Sequence, residues 1–306
     1  MPVIANGNLD HATLLLFEKH FERIATQKDT KLLNTPAIRH MDIKGISNLS
    51  RMDSNELTEV TGRNPDKVYS EIRNDNRKSV ARRFTNTYLL DSYDKAVKLI
   101  TDPTSDLFAN LKEAKQRITD KCIADAALAS VVVGAPDSAG TTISAADDGV
   151  ITIDGKTEFS YENVISPAIT AFTNNYIDAG TGCTLALTGL EAQALRDDEK
   201  YMNAFYSNAN TVDKGKIDNA SGFHVVTFAG TQNGVNTIEM PILAENDGVR
   251  SNILLAPGSI AFAVEIGRLD CDRAPGKVNS WEVTIDVWIK AVRTQGKKVI
   301  KILSTI

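Results

Sequence analysis

Cysteine is scarce in this 306-residue chain, and Cys122, Cys183 and Cys271 lie far apart. An odd, widely spaced set argues against a disulfide framework and for free, mostly buried thiols in a reducing compartment. The histidines are as scattered: His11, His20, His40 and His224 never stand at ligand spacing from another His or Cys, so no metal is expected. No apolar run reaches the ~18 residues that a membrane helix needs. The short cluster Leu14–Phe17 has neither a basic flank nor a small-residue cleavage site, so neither a signal peptide nor a membrane partner is expected. A net charge of −5 argues against tight nucleic-acid binding.

Catalytic patterns are equally sparse. Gly149 to Lys156-Thr157 looks like a phosphate loop, but five residues separate Gly149 from Gly155 where four are required, and the run reads as strand into turn. Ser92-Tyr93-Asp94-Lys95 matches S-x-x-K without its companion motifs. Asp197-Asp198-Glu199 and Asp270-Cys271-Asp272 lack the glycine and distal Glu of a calcium loop and read as solvated surface. No nucleophile elbow or dinucleotide fingerprint occurs. The expectation is a protein that is not an enzyme, with no catalytic residue and no cofactor.

What is present is ordinary globular composition, 42% hydrophobic and 24% charged, in a chain long enough to bury a large core. Its charge is uneven. Residues 37–90 hold ten basic against seven acidic side chains, residues 131–286 nine against 21, and residues 287–306 five basic and none acidic. A basic segment and a basic tail thus flank an acidic body, a distribution that favours association between copies.

Residues 9–25 carry Leu9, Leu16, Phe17, Phe21 and Ile24 at helical spacing. Residues 37–90 are polar, broken by Gly45, Gly62 and Pro65, and too poor in apolar anchors to pack a core. They read as disordered or as an extended hairpin lying on something else, with strand character near Ser79–Tyr88. From Thr104, the stripe Leu107, Leu111, Ala114, Ile118, Cys122, Ala126, Ala129 and Val133 predicts a helix of about 28 residues, ~42 Å long, ended by Gly134 and Pro136. Val150–Ile153 before Asp154-Gly155 predicts a hairpin turn. Ser166-Pro167 opens a helix ended by Gly180. Thr184–Leu187 reads as a strand leading into the capping box Thr188-Gly189-Leu190-Glu191 and a helix to about Phe205. Strands are predicted near 222–228, 237–243, 251–266, 281–289 and 298–302. The class is α+β.

From about Lys78 to Ile302 the order of these features resembles the major capsid proteins of tailed bacteriophages, with the Hong Kong 97 fold. The resemblance is carried by Arg82-Arg83 late in a polar extended segment, Asp91-Ser92-Tyr93-Asp94, Asp102-Pro103, and the long helix with Ala114, Arg117 and Asp120. It continues through the helix near 167–178, "TLALTGLEAQAL" at 184–195, Lys214-Gly215-Lys216-Ile217 before Gly222-Phe223-His224-Val225, and the closing strands around Trp281–Ile302. It implies an N-terminal arm at 1–36, an extended E-loop at 37–90, and a peripheral P-domain at 91–182 and 276–306 with its spine helix near 104–133. The axial A-domain would be 183–275.

The function so implied is a shell subunit assembling into pentamers and hexamers around phage DNA, made in the bacterial cytoplasm and resident in the virion. Its partners would be itself, a separate scaffolding protein (the arm is too short for a fused one), a portal protein, and DNA by proximity only. Interface candidates are Arg63, Lys67, Arg82, Arg83, Asp91, Asp94 and Asp102, with Lys67 a crosslinking candidate by location alone. An encapsulin-like cellular compartment and a tail or decoration protein are the alternatives.

Overall fold

The computed structural model describes residues 27–43, 47–52, 57, 59, 74–91, 104–134, 138–155, 157–179, 182–202, 212–213, 216–217, 219–220, 223–229, 248–277 and 280–305. The amphipathic stretch 9–25 and the predicted strand 237–243 lie outside these residues. In chain order the elements that build the body are β1 (Ile38–His40), β2 (Ser47–Met52), β3 (Asn74–Ser79), β4 (Arg82–Asp91) and the long helix α1 (Thr104–Leu128). There follow β5 (Val131–Val133), β6 (Thr141–Ile143), β7 (Ile151–Asp154), a π-turn at Tyr161–Ile165, α2 (Ser166–Asn174), β8 (Cys183–Thr188), α3 (Gly189–Asp197) and α4 (Glu199–Met202). Short strands β9 (Val212–Asp213), β10 (Lys216–Ile217) and β11 (Asn219–Ala220) lead to β12 (Phe223–Phe228), β13 (Arg250–Leu255), β14 (Ile260–Arg273), β15 (Ser280–Arg293) and β16 (Val299–Ser304).

A six-stranded mixed sheet, in the order β11-β12-β8-β13-β16-β7, is covered on both faces. Successive strand residues point to opposite sides, and here each side has its own core. Cys183, Leu185, Leu187, Phe223, Val225, Leu254, Ile300 and Ile302 face the helical layer, packed with Val164, Ile165, Ala168, Phe172, Ala192 and Leu195. Ala186, Val226, Phe228, Ile253, Leu255 and Val299 face the other way, toward α1. This explains why every residue of β8 is buried. Each fully buried Leu or Phe on such a sheet contributes about 1.5–3 kcal/mol.

On its far side α1 packs on a second sheet, β1-β14-β15-β4, through Phe262, Val283, Ile285, Val287 and Ile289. β14 and β15 are 14 residues each and pair antiparallel, with a bulge at Gly267. A side chain there would meet the indole nitrogen of Trp288 at 2.9 Å, so glycine keeps the bulge open. A third sheet, β2-β3-β5-β6, meets the opposite face of β14 and β15 through Val131, Ala261 and Val292.

The expected partition cuts across these sheets. β7 and β16 were expected outside the 183–275 unit but pair with β16 and β13 inside the six-stranded sheet. β14 was expected inside that unit but pairs with β15 and lies on α1. The 37–90 segment, expected to lie on something else, is held by its own chain at both ends: β1 pairs with β14, β3 with β5, and β4 with β15.

Three further expectations are corrected. The long helix has 25 residues, not 28, and 131–133 form strand β5. Three consecutive valines favour the pleated surface, and pairing to β3 and β6 overrides the helical stripe. Asp154-Gly155 is no hairpin turn, because β7 runs parallel to β16. Gly155 is required instead by close approach, since a Cβ there would stand 2.8 Å from Val164 and 3.0 Å from the Leu303 carbonyl. The helix from Ser166 stops at Asn174 rather than near Gly180, followed by Tyr176 at φ 58°.

Gly296 lies so close to the Asp148 carbonyl oxygen that an added Cβ would be 2.1 Å away, whereas Gly189, at the start of α3, has open space. Gly296→Ala is therefore expected to destabilise the subunit by about 1–3 kcal/mol. Gly189→Ala is expected to be neutral or stabilising by up to about 1 kcal/mol. Urea unfolding of both variants checks the contrast.

Candidate subunit-interaction surfaces

Three polar clusters fix the framework. In the first, the Asp148 carboxylate lies between two guanidiniums. It accepts from Arg293 Nε at 2.7 Å and from both terminal nitrogens of Arg77, one at 2.9 Å. The side chains of Arg77, Asp148 and Arg293 are 1%, 5% and 0% exposed. Arg293 also donates to the carbonyls of Ala127 and Ala129 at 2.7 and 2.9 Å, satisfying the orphan groups at the C-terminus of α1. Arg77 donates to the Arg293 carbonyl at 3.1 Å. Burial pushes the Asp148 carboxyl up, but the hydrogen bonds and charges of the two arginines outweigh it and hold the group below the ordinary carboxylate range. The cluster ties β3, at the base of the β2–β3 hairpin, to α1 and β15.

In the second, Asp120 on α1 accepts from the backbone N–H of Lys31 at 2.8 Å and of Leu32 at 3.1 Å, and from the Gln27 amide. This straps residues 27–37 along the helix. Burial pushes the Asp120 carboxyl up against those donors. In the third, Glu191, fully buried, accepts from Ser304 Oγ at 2.7 Å and from Arg250 at 3.5 Å. The Thr188 hydroxyl also donates to Glu191. The expected capping box is therefore absent: Thr188 precedes α3 with extended backbone, but its side chain bonds the Glu191 carboxylate and not a helix N–H.

Of the sequence-predicted interface residues, three are described and all lie on β4. Arg82 and Arg83 sit on β4 and point to opposite faces. Arg82 lies 3.6 Å from Cys122 Sγ on α1, over the Phe84 ring. Arg83 bonds Asp286 of its own chain at 2.5 Å, a pair with 60% and 12% side-chain exposure. The Arg83 hydrogen bond, with one from Thr85, holds the Asp286 carboxyl below its ordinary range. Asp91 ends β4 opposite Ser280. Arg63, Lys67, Asp94 and Asp102 lie outside the described residues. Cys122 and Cys183 are buried free thiols pushed up to about 11 by burial, and Cys271 is half-buried. Asp198, read as solvated surface, instead accepts from the backbone N–H of Tyr161 and Lys200 at 2.6 and 2.9 Å.

Sequence reasoning missed Arg77, Asp148 and Arg293, and it named Asp120 and Glu191 without the roles they play here. No local signal separates Asp148 from its neighbour Asp147, and the partners of Asp148 stand 71 and 145 positions away.

Away from the third sheet, the outer face of β4, β15 and β14 is uncovered by any described element. It carries Glu265, Asp270, Asp272, Glu282 and Asp286 against Arg83 and Arg268, with Trp288 exposed among them. Arg268 bridges Asp270 and Asp272. Among the described residues no group of His, Cys, Asp and Glu could hold a metal ion, and no helix is long and apolar enough to cross a membrane. What this framework offers is uncovered sheet, not a pocket of convergent titratable groups.

Comparison with known proteins accounts for that design. A chain from Mycobacterium phage Che8 superposes with a TM-score of 0.67 at 13% identity, over 94% of this chain and 95% of that one. A capsid structure of Cyanophage P-SCSP1u gives 0.65 at 10% identity, over 94% and 93%. The capsid of Ralstonia phage GP4 gives 0.59 at 12% identity, over 100% and 98%. At such identities the likeness establishes the fold, which is a phage capsid fold. No curated protein matches the chain at a significant level. Residues 9–306 match the family model described as phage capsid protein. The chain belongs to that family: it is a structural subunit of a virion capsid that assembles with copies of itself.

Removing Asp148 leaves two buried guanidiniums uncompensated, so Asp148→Ala is expected to cost about 3–5 kcal/mol at pH 7 in urea unfolding. Because the folded carboxyl titrates below its unfolded value, its contribution is fully present above the ordinary carboxylate range, about pH 3.9, and fades as pH falls through the folded value. Asp148→Asn should therefore lose less stability than the wild type between pH 5 and pH 3.

Proposed function

We propose that copies of this chain form pentamers and hexamers closing an icosahedral shell around phage DNA, in the Hong Kong 97 arrangement. In this reading residues 1–36 are the N-terminal arm and the β2–β3 hairpin belongs to the E-loop. The long helix α1 with the β14–β15–β4 sheet forms the peripheral domain, and the six-stranded sheet with α2 and α3 forms the axial domain. The observation that supports it most is the uncovered acidic face of β4, β15 and β14, in a chain whose 37–90 segment is basic. Opposite potentials on repeating subunits favour association and fix register.

Assembly would take place in the bacterial cytoplasm with a separate scaffolding protein and a portal, DNA being enclosed by proximity and not by specific contacts. Membership of the phage capsid protein family supports a structural, non-catalytic role. Membership of the phage capsid family weighs against a cellular compartment shell and against a tail or decoration protein.

Negative-stain microscopy of the expressed chain should show closed shells or rings of five and six. A monodisperse monomer under all scaffold and salt conditions would count against the reading. We further expect Arg63 and Lys67 to reach the acidic face of a neighbour. Arg63→Glu with Lys67→Glu should leave a subunit with native circular dichroism that no longer assembles, since breaking an interfacial charge pair costs about 2–5 kcal/mol at every repeat. Normal shell yield from that variant would remove both residues from the interface.

A further inference from the structure

β4 is the outer strand of its sheet, and among the described residues nothing pairs with its free side. The strand is ten residues long, Arg82–Asp91, and contains neither proline nor glycine. Its pairing with β15 runs without a register shift from Arg82 to Asp91, the sheet's one bulge lying in β14. Natural edge strands are shortened, bulged, interrupted by proline, studded with charge or covered. Here the charges stand only at the ends, at Arg82, Arg83 and Asp91, and the middle reads Phe84-Thr85-Asn86-Thr87-Tyr88-Leu89-Leu90. Half of the backbone N–H and C=O groups of such a strand point away from its partner.

A second, independent feature lies beside that edge. Between β4 and α1 is a partly open cleft of about 200 Å³, lined mainly by Phe84, Leu111, Ala114, Ile118 and Val287. Its single charge is Lys115, whose ammonium is pushed down by burial. A strand added to β4 would run about 4.8 Å beyond it, and every second side chain would point to the α1 side, where this apolar cleft stands open.

Resting on the capsid reading, we infer that β4 is completed by β-strand addition from a second copy of this chain, alternate apolar side chains of the incoming segment entering the β4–α1 cleft. A second copy is the occupant for two reasons. The subunit assembles with itself, and a subunit crowded with identical neighbours would pair at random through an edge like this unless assembly covered it. On the α1 side of the edge stand Arg82 and Lys115, with Asp125 near Arg82, whereas residues 131–286 of each copy carry 21 acidic against nine basic side chains.

The test uses assembled shells and free subunits of the full chain. Amide hydrogen exchange at single-residue resolution should show alternate amides of 82–91 slowing by about tenfold or more on assembly, the other alternate set being protected already in the free subunit. p-Benzoylphenylalanine at Asn86 should crosslink to a second copy in shells and to nothing in free subunits. Ala114→Phe, which fills the cleft without removing a native hydrogen bond, should abolish assembly or that crosslink while leaving the thermal transition of the subunit unchanged. Shells with unprotected β4 amides and no crosslink would overturn the inference while leaving the capsid reading intact. A crosslink to a different polypeptide would overturn the second-copy assignment. If Ala114→Phe lowers the thermal transition, exchange and crosslinking on the wild-type background decide alone.

Discussion

The structure turns on one carboxylate. Asp148, in a turn between β6 and β7, is shared by Arg77 from the hairpin base and Arg293 from the end of β15. Two buried guanidiniums on one carboxylate leave a net positive charge. That charge is met by the carbonyls at the C-terminal end of α1, the negative pole of the helix. Four segments distant in sequence are thereby fixed at one point: hairpin, helix, long strand and turn. Gly296 is pressed against the same turn, so any side chain there would displace it. Buried ion clusters of this kind add little net stability compared with an apolar core, and their best-attested use is to specify one arrangement. Here the arrangement specified is the attachment of β3 to the end of α1 and to β15.

The helix α1 lies between two sheets and depends on both. Its inner side meets the six-stranded sheet through Ala186, Ile253 and Leu255, and its other side meets the long β14–β15 pair through Ile285 and Val287. Asp120, on the same helix, captures the strap at 27–37. Among the described residues, a subunit built this way has a packed centre and unfinished margins: an unpaired strand edge and an acidic sheet face. Those are the properties of a part made to be completed by its neighbours, in keeping with the family to which the chain belongs.

Much of the centre was legible in the sequence because its signals are local. The Ser166-Pro167 helix start, the strand at Thr184–Leu187 and the closing strands each follow from propensity and spacing, and the structure places elements at all three. The boundaries failed where a distant partner decides. Val131–Val133 continued the helical stripe on paper, yet pairing to β3 and β6 makes them a strand. Asp154-Gly155 has the chemistry of a turn, but the glycine serves a close approach to Leu303. Glu191 has the spacing of a capping residue, but Arg250 and Ser304 claim its carboxylate. The sheets do not follow chain order for the same reason, because sheet membership is set by strands far apart in sequence. Arg83, one of the interface candidates, bonds Asp286 of its own chain while staying largely exposed, and nothing in a sequence reveals such a pair.

The central claim is that a subunit fixed at Asp148 becomes a shell by repetition. The most direct measurement is a side-chain-resolution reconstruction of particles assembled from the purified chain. The account predicts a closed shell in which every subunit keeps Arg77 and Arg293 of the same chain on Asp148, with the hairpin extended over an adjoining subunit. A shell in which Arg77 has left Asp148, or in which the hairpin folds back on its own body, would contradict it.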